Sequence, residues 1–376
     1  MSELPKTRLA YLDNVRALVV FLVITMHVAV TYSGMGDWYY KEGTEEALSI
    51  FELVFFAYYQ SFLQAWFMGI LFFIAAIFAA KAYKKYGPGK FIRERLFRLG
   101  LPLLIYIFII SPIILFIIMD INPDESFFRN CYIAFVNFWW IEATGPLWFV
   151  EALLIFCLIY VLIKKFFKGI VIKNIKTINI FVVILFTGIV AFLVRLVFPI
   201  GTSIQNLQIC YFPSYIVLFI AGIVISENNL LDTLTDEKNI KWIKLSILIG
   251  VPIWIFTVVA GGALDGHTYF NGGFHWQSLA FALWESLNAI GFSIGLIALF
   301  RKKVNISNRF SNLLRENSFG IYFFHSAILI FISLVLKDLV LLPILKFLLV
   351  VIITSIACLV FTYLVRKIKP IGILLK

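Results

Sequence analysis

YLDNVRALVVFLVITMHVAVTYSG, residues 11–34, decides how the whole chain is read. The stretch is long and apolar enough for a membrane-crossing helix, which needs about 20 residues. It nevertheless carries Asp13, Arg16 and His27. Titratable groups are costly in hydrocarbon and are retained where they face a bundle interior or a water-filled site. Arg16 and His27 are eleven residues apart. At about 100° per residue they fall within about 20° of one another on the helix, roughly 16 Å apart along its axis. An arginine low and a histidine high on one stripe mark a path through a bundle of helices.

The remainder of the chain supplies the wall of that path. Of 376 residues, 62% are hydrophobic and 14% charged, against roughly 25% charged in a soluble domain. Such a chain cannot cover its apolar surface in water. The reading is an all-α integral membrane protein, a single domain over residues 1–376, multi-pass in the cell membrane and with the lipid bilayer as its solvent. Ten spans are expected, at about 12–33, 60–83, 98–119, 146–167, 177–198, 207–227, 240–261, 276–300, 318–337 and 340–366. The apolar segment 45–59 extends the second span. The polar start MSELPKTRLAYLDN does not resemble a cleavable signal.

Lysine and arginine set the orientation. With both termini cytoplasmic, the inner segments hold 26 of the 32 basic residues, and the outer loops hold Lys41, Arg129 and Lys337. That asymmetry accounts for the net charge of +11 without a nucleic-acid partner. The outer loops carry acidic residues instead, among them Asp37, Glu42, Asp120, Asp124, Glu125 and Glu142. Cys131, Cys157, Cys210 and Cys358 are scattered; they form no metal spacing and no disulfide framework. No internal repeat is visible, which weighs against a secondary transporter.

Several constellations carry chemistry. His27 lies about 9 Å from the outer end of its span. Glu151, in GPLWFVEALL, lies at nearly the same depth in an antiparallel span. A histidine and a carboxylate at one level make a base and its orienting partner. The bland account is a structural hydrogen bond between buried groups. In KAYKKYGPGKFIRERLFRLGLP, Gly87, Pro88 and Gly89 make a turn, and Arg95 and Arg98 share a helical face with Arg93 nearby. Arginine favours bidentate contact with phosphate, although a cytoplasmic loop is basic in any case. Glu285 sits about 13 Å from the outer surface and His325 about 10 Å from the inner one. His325 alone reads as a satisfied core histidine. Arg195, near an outer end, is placed to snorkel to the interface. His267 and His275 fall in an exposed outer loop.

These residues resemble the membrane acyltransferase type 3 family. Leu12-Asp13, Arg16 and His27 match its opening pattern, an arginine followed by ten residues and a histidine. Arg95, Arg98 and Pro102 look like its second motif, and PLWFV (146–150) and GIYFFH (320–325) like its later ones. YFPSYIVLFIAGIV and GGFHWQSLAFALWE give the chain the look of the osmoregulated periplasmic glucan C type. The resemblance implies transfer of an acyl group, acetyl or succinyl, from cytoplasmic acyl-CoA to an extracytoplasmic hydroxylated acceptor such as an envelope carbohydrate. It gives His27 the catalytic role. Arg16, Arg93, Arg95 and Arg98 would hold the donor. Asp13, Trp148, Glu285, Tyr322 and His325 would support the path, and no metal is implied. A general-base and a covalent acyl-histidine route both remain open, as do the donors for the oxyanion. The competing reading is a proton-coupled transporter or flippase that relays protons through His27, Glu151 and Glu285.

Overall fold

The computed structural model describes residues 9–118, 129, 143–167 and 169–375. Among these, nine helical stretches are long and apolar enough to cross a membrane. Lys6, Arg8, Asp120, Asp124, Glu125, Cys131 and Glu142, which entered the sequence reading, lie outside the described residues. Cys157, Cys210 and Cys358 are buried free thiols.

The first stretch is α1 (Ala10–Ser33), which ends where Gly34 turns the chain in the left-handed region. α2 (Ile50–Arg95) begins at a capping box between Ser49 and Glu52, so the apolar segment after residue 49 is part of this helix. Gly87, at φ 73°, breaks it, and Pro88 follows. A non-glycine residue rarely holds that backbone angle. The break folds the chain sharply: the rings of Tyr83 and Phe91 lie 5.8 Å apart, whereas eight residues of straight helix would separate their backbones by about 12 Å. The second arm continues through α3 (Leu101–Ile105) and α4 (Ser111–Ile118), with π-helical turns at Leu96–Gly100 and Tyr106–Ile110. Tyr106 reaches Tyr39, in the segment just before α2. The arm has therefore returned to the level at which α2 began.

Then come α5 (Trp148–Phe166), α6 (Thr177–Arg195) and α7 (Phe212–Glu227). The expected span 240–261 is divided into α8 (Lys241–Leu248) and α9 (Gly250–Val259), the division falling just before Pro252. α10 (Trp276–Ser286) passes through a π-helical turn into α11 (Ser293–Lys303). α12 (Arg309–Val335), α13 (Pro343–Val365) and α14 (Lys369–Leu374) complete the chain. α12 starts nine residues before the expected boundary at 318, because Asn308 and Ser311 cap each other there.

α1 packs against α2, α12 and α13, and α2 lies along α7. The outward faces are strongly apolar. On α6, Ile178, Val182 and Phe186 are all exposed. A surface of that kind fits lipid and not water. Where lipid surrounds the helices, close packing and interhelical hydrogen bonds hold them together, not the exclusion of water. The end of the bundle where α1 begins is basic. Arg315 approaches Asp13 to 4.0 Å, Asn14 donates to the carbonyls of Val304 and Ile306, and Arg366 donates to Asn317.

At the opposite end, residues 34–49 form a strap over the end of α1. The amides of Glu42 and Gly43 both donate to Thr31 O, at 2.9 and 3.1 Å. Lys346 of α13 pairs with Glu42 and is almost wholly buried. Ser33 Oγ accepts from Met35 N and from Gln60 Nε2.

Candidate active site

α1 and α12 run side by side in the same direction. Contacts at both ends show this: Asp13 meets Arg315, and Tyr32 donates to Ser333 at 3.4 Å. His27 is 17 residues after Ala10, and His325 is 16 after Arg309. Equal rise brings the two imidazoles together, and His325 Nε2 lies 3.2 Å from His27 Nδ1. The sequence reading placed His325 lower, near the basic end. That estimate took the start of the apolar run for the start of the helix.

Two main-chain carbonyls fix the tautomers. His27 Nδ1 is 2.9 Å from Val23 O, and His325 Nδ1 is 2.6 Å from Tyr322 O. A carbonyl oxygen only accepts, so both Nδ1 atoms carry the proton. His325 Nε2 is then an acceptor, and the His27 Nδ1–H is shared between it and Val23 O. His27 Nε2 is left with its lone pair and has no partner among the described residues. His325 is fully buried, while His27 retains some exposure. Trp38 of the strap stacks on His27, with ring centroids 4.0 Å apart and planes inclined by 28°.

The later motifs converge here. Tyr322 donates to Pro146 O, Phe149 meets the Tyr322 ring edge-on, and Tyr322 stacks beside His325. Trp148 turns the other way, onto Tyr215. Next to His325 in sequence, Ser326 bonds Tyr106 at 2.8 Å, and Tyr106 lies 3.3 Å from Tyr39.

Glu151 makes no hydrogen bond to His27. Its Oε2 is buried with no partner among the described residues, and the partner of His27 is His325. Glu285 is likewise apart from the histidine pair. It is bound to Arg195, with side chains only 2% and 0% exposed. Arg195 does not reach the interface. Its guanidinium lies over the rings of Tyr211 and Phe281, because a carboxylate across the α6–α10 contact offers a desolvated cation more than a thin route to water. A relay through His27, Glu151 and Glu285 has no hydrogen-bonded connection among the described residues.

At the basic end, a cleft of about 850 Å³ is lined by Gly89, Lys90, Arg93, Glu94, Phe97, Arg98 and Ile373, three cations to one carboxylate. Arg93 and Arg98, two of the four arginines expected to hold the donor, share it. The π-helical turn at Leu96–Gly100 winds more residues per turn than an α-helix, which brings positions five apart toward one face. Arg95 instead lies over the Phe91 ring, with its Nε buried and lacking a partner among the described residues. Arg16 lies 3.4 Å from Asp13. Among the described residues no group of three or more His, Cys, Asp or Glu is arranged to hold a metal.

Sequence reasoning missed Trp38, Tyr39 and Tyr106. The aromatic run WYY at 38–40, only eleven residues past His27, was the available signal.

Apolar helices around a histidine pair, with a basic cleft at one end, define a multi-span membrane protein with titratable groups inside the bundle. The chain belongs to the acyltransferase type 3 family: the family model described as an acyltransferase domain matches residues 9–363. No curated protein and no solved structure matches it.

Proposed function

We propose that this protein is an integral-membrane O-acyltransferase. It takes an acyl group from acyl-CoA, acetyl-CoA first among the donors, and passes it to a hydroxyl of an acceptor at the strap end. In this reading the acceptor is an envelope carbohydrate, a glucan in line with the sequence resemblance. The two arms meeting at Gly87 count as separate spans, giving ten, with the basic end and both termini cytoplasmic. The cleft of Arg93 and Arg98 receives the anionic nucleotide of the donor. Arginine forks suit phosphate oxygens, and a cytoplasmic donor meets the basic face first.

The observation that carries the reading is the free Nε2 lone pair of His27, made available by the carbonyls of Val23 and Tyr322. The acceptor hydroxyl gives its proton to that nitrogen as its oxygen bonds the thioester carbon. The carbonyl π electrons move onto oxygen. The resulting imidazolium is steadied by Val23 O and by His325 Nε2, the role the sequence reading gave to Glu151. When the C–S bond breaks, the sulfur takes the proton from Nε2 and leaves as CoA thiol. The acyl ester and neutral His27 remain.

The test is acetyl-CoA binding by calorimetry, and thiol release, for protein in nanodiscs. Arg93→Ala with Arg98→Ala is expected to weaken binding. His27→Ala is expected to spare binding and abolish release. Absence of binding by either acetyl- or succinyl-CoA at millimolar concentration would overturn the proposal.

A further inference from the structure

We infer that the indole N–H of Trp38 donates a hydrogen bond to the acyl carbonyl oxygen as that oxygen becomes negative. This inference rests on the acyl-transfer reading of His27.

Three observations carry it. First, Trp38 Nε1 is buried and has no partner among the described residues. Buried donors are rarely left unpaired without a reason. The indoles of Trp66, Trp242 and Trp254 are also unpaired, so the orphaned donor alone decides nothing. Its position does. Trp38 is the indole that stacks on His27, at 4.0 Å.

Second, the stacking geometry excludes the nearest alternative partner. At 28° between planes, the indole N–H runs nearly parallel to the imidazole and does not point into its face. It lies in a plane close to that of the His27 Nε2 lone pair. On this inference the acyl carbonyl lies beside the edges of the two rings, as the partner of the indole N–H.

Third, the donor is held in place before any ligand arrives. Next to Trp38 in the chain, Tyr39 is held by Tyr106. Four residues on, Glu42 is fixed by Lys346 and by Thr31 O. On the other side, Met35 N bonds Ser33 Oγ. A donor that need not reorganise gives its full benefit at the developing charge.

The step balances without further reagents. Acceptor oxygen bonds the thioester carbon, its proton goes to His27 Nε2, and the displaced π pair on oxygen is held by Trp38 Nε1–H. The pair returns as the C–S bond breaks and CoA thiolate takes the proton back.

The experiment compares wild type, Trp38→Phe and Trp38→Ala. A fourth protein carries 3-benzothienylalanine at position 38, which keeps the ring shape and replaces N–H by sulfur. Thiol release from acetyl-CoA is followed with water as acceptor, and acetyl-CoA binding is measured by calorimetry. Loss of one such donor elsewhere costs about 10²- to 10³-fold in kcat. The Phe and benzothienyl proteins are therefore expected to lose about 100-fold in kcat while KM for acetyl-CoA and its binding hold. If the benzothienyl protein keeps wild-type kcat and Trp38→Ala does not, Trp38 serves only by stacking and the inference is overturned. His27→Ala is run alongside. If it retains wild-type turnover, the acyl-transfer reading itself fails. If it is inactive and the benzothienyl protein is normal, only the inference about Trp38 fails.

Discussion

Replacing His325 by phenylalanine separates two ways in which a second histidine could serve His27. The phenyl ring preserves stacking beside Tyr322 and Trp38 but removes the acceptor 3.2 Å from His27 Nδ1. In a catalytic triad, losing the partner that fixes the tautomer costs about 10⁴-fold. Here the tautomer survives, because Val23 O still holds the Nδ1 proton at 2.9 Å. What is lost is one charge-assisted hydrogen bond to the imidazolium, about 1.5–3 kcal/mol. At RT of about 0.59 kcal/mol this is a fall of roughly 10- to 150-fold in kcat. The assay is thiol release from acetyl-CoA by His325→Phe in nanodiscs, with donor binding as the control for folding. A loss near 10⁴-fold would make His325 itself the base or the sole keeper of the tautomer. A loss below about threefold would mean that the His325 contact does not steady the charged intermediate. Either result refutes the reasoning.

Other outcomes follow from features away from the histidines. Glu285→Leu leaves the buried Arg195 guanidinium uncompensated, and is expected to cost about 3–5 kcal/mol. Arg195→Met combined with Glu285→Leu should restore most of that, as read by unfolding in lipid; equal losses in both would show the two charges to be uncoupled. A Cβ at Gly222 would stand 2.4 Å from Phe73 O and 2.7 Å from Ala76 Cβ. Gly222→Ala should therefore destabilise by about 1–3 kcal/mol through the α2–α7 contact, whereas an unchanged melting temperature would show that the helices separate freely. Burial raises the hydroxyl of Tyr39, in the strap, above its ordinary value. Its contribution to stability is intact below about pH 10 and is lost as pH rises through the raised value. Proteolysis of the strap should accelerate across that range, and Tyr39→Phe should remove this pH dependence.

The apolar runs made the helices legible, since a membrane demands long continuous segments and the chain supplies them. Boundaries were less legible. α12 is capped at Asn308 by polar residues that a hydropathy reading leaves outside the span, and this error lowered His325 away from its partner. The catalytic candidate was legible as a titratable residue in hydrocarbon. Its partner was not, because adjacency between the first and a late helix is a property of packing. The partners of Glu151 and Arg195 were not legible for the same reason: the direction a side chain faces is decided by its neighbours. That Arg93 and Arg98 share the cleft while Arg95 turns away follows from a π-helical turn, which α-helical spacing cannot anticipate.

The two imidazoles that meet at 3.2 Å are 298 residues apart in the chain. At about 5–20 residues per second of synthesis, roughly 15–60 s pass between the emergence of His27 and that of His325. Throughout that interval α1 is in the membrane without its neighbour α12, and His27 lacks the acceptor that steadies its charged form. On the proposed mechanism, an unfinished chain, or one truncated before α12, spends donor thioester on water more slowly than the finished protein. On that mechanism full competence is conferred late in biosynthesis, by insertion of one of the final helices.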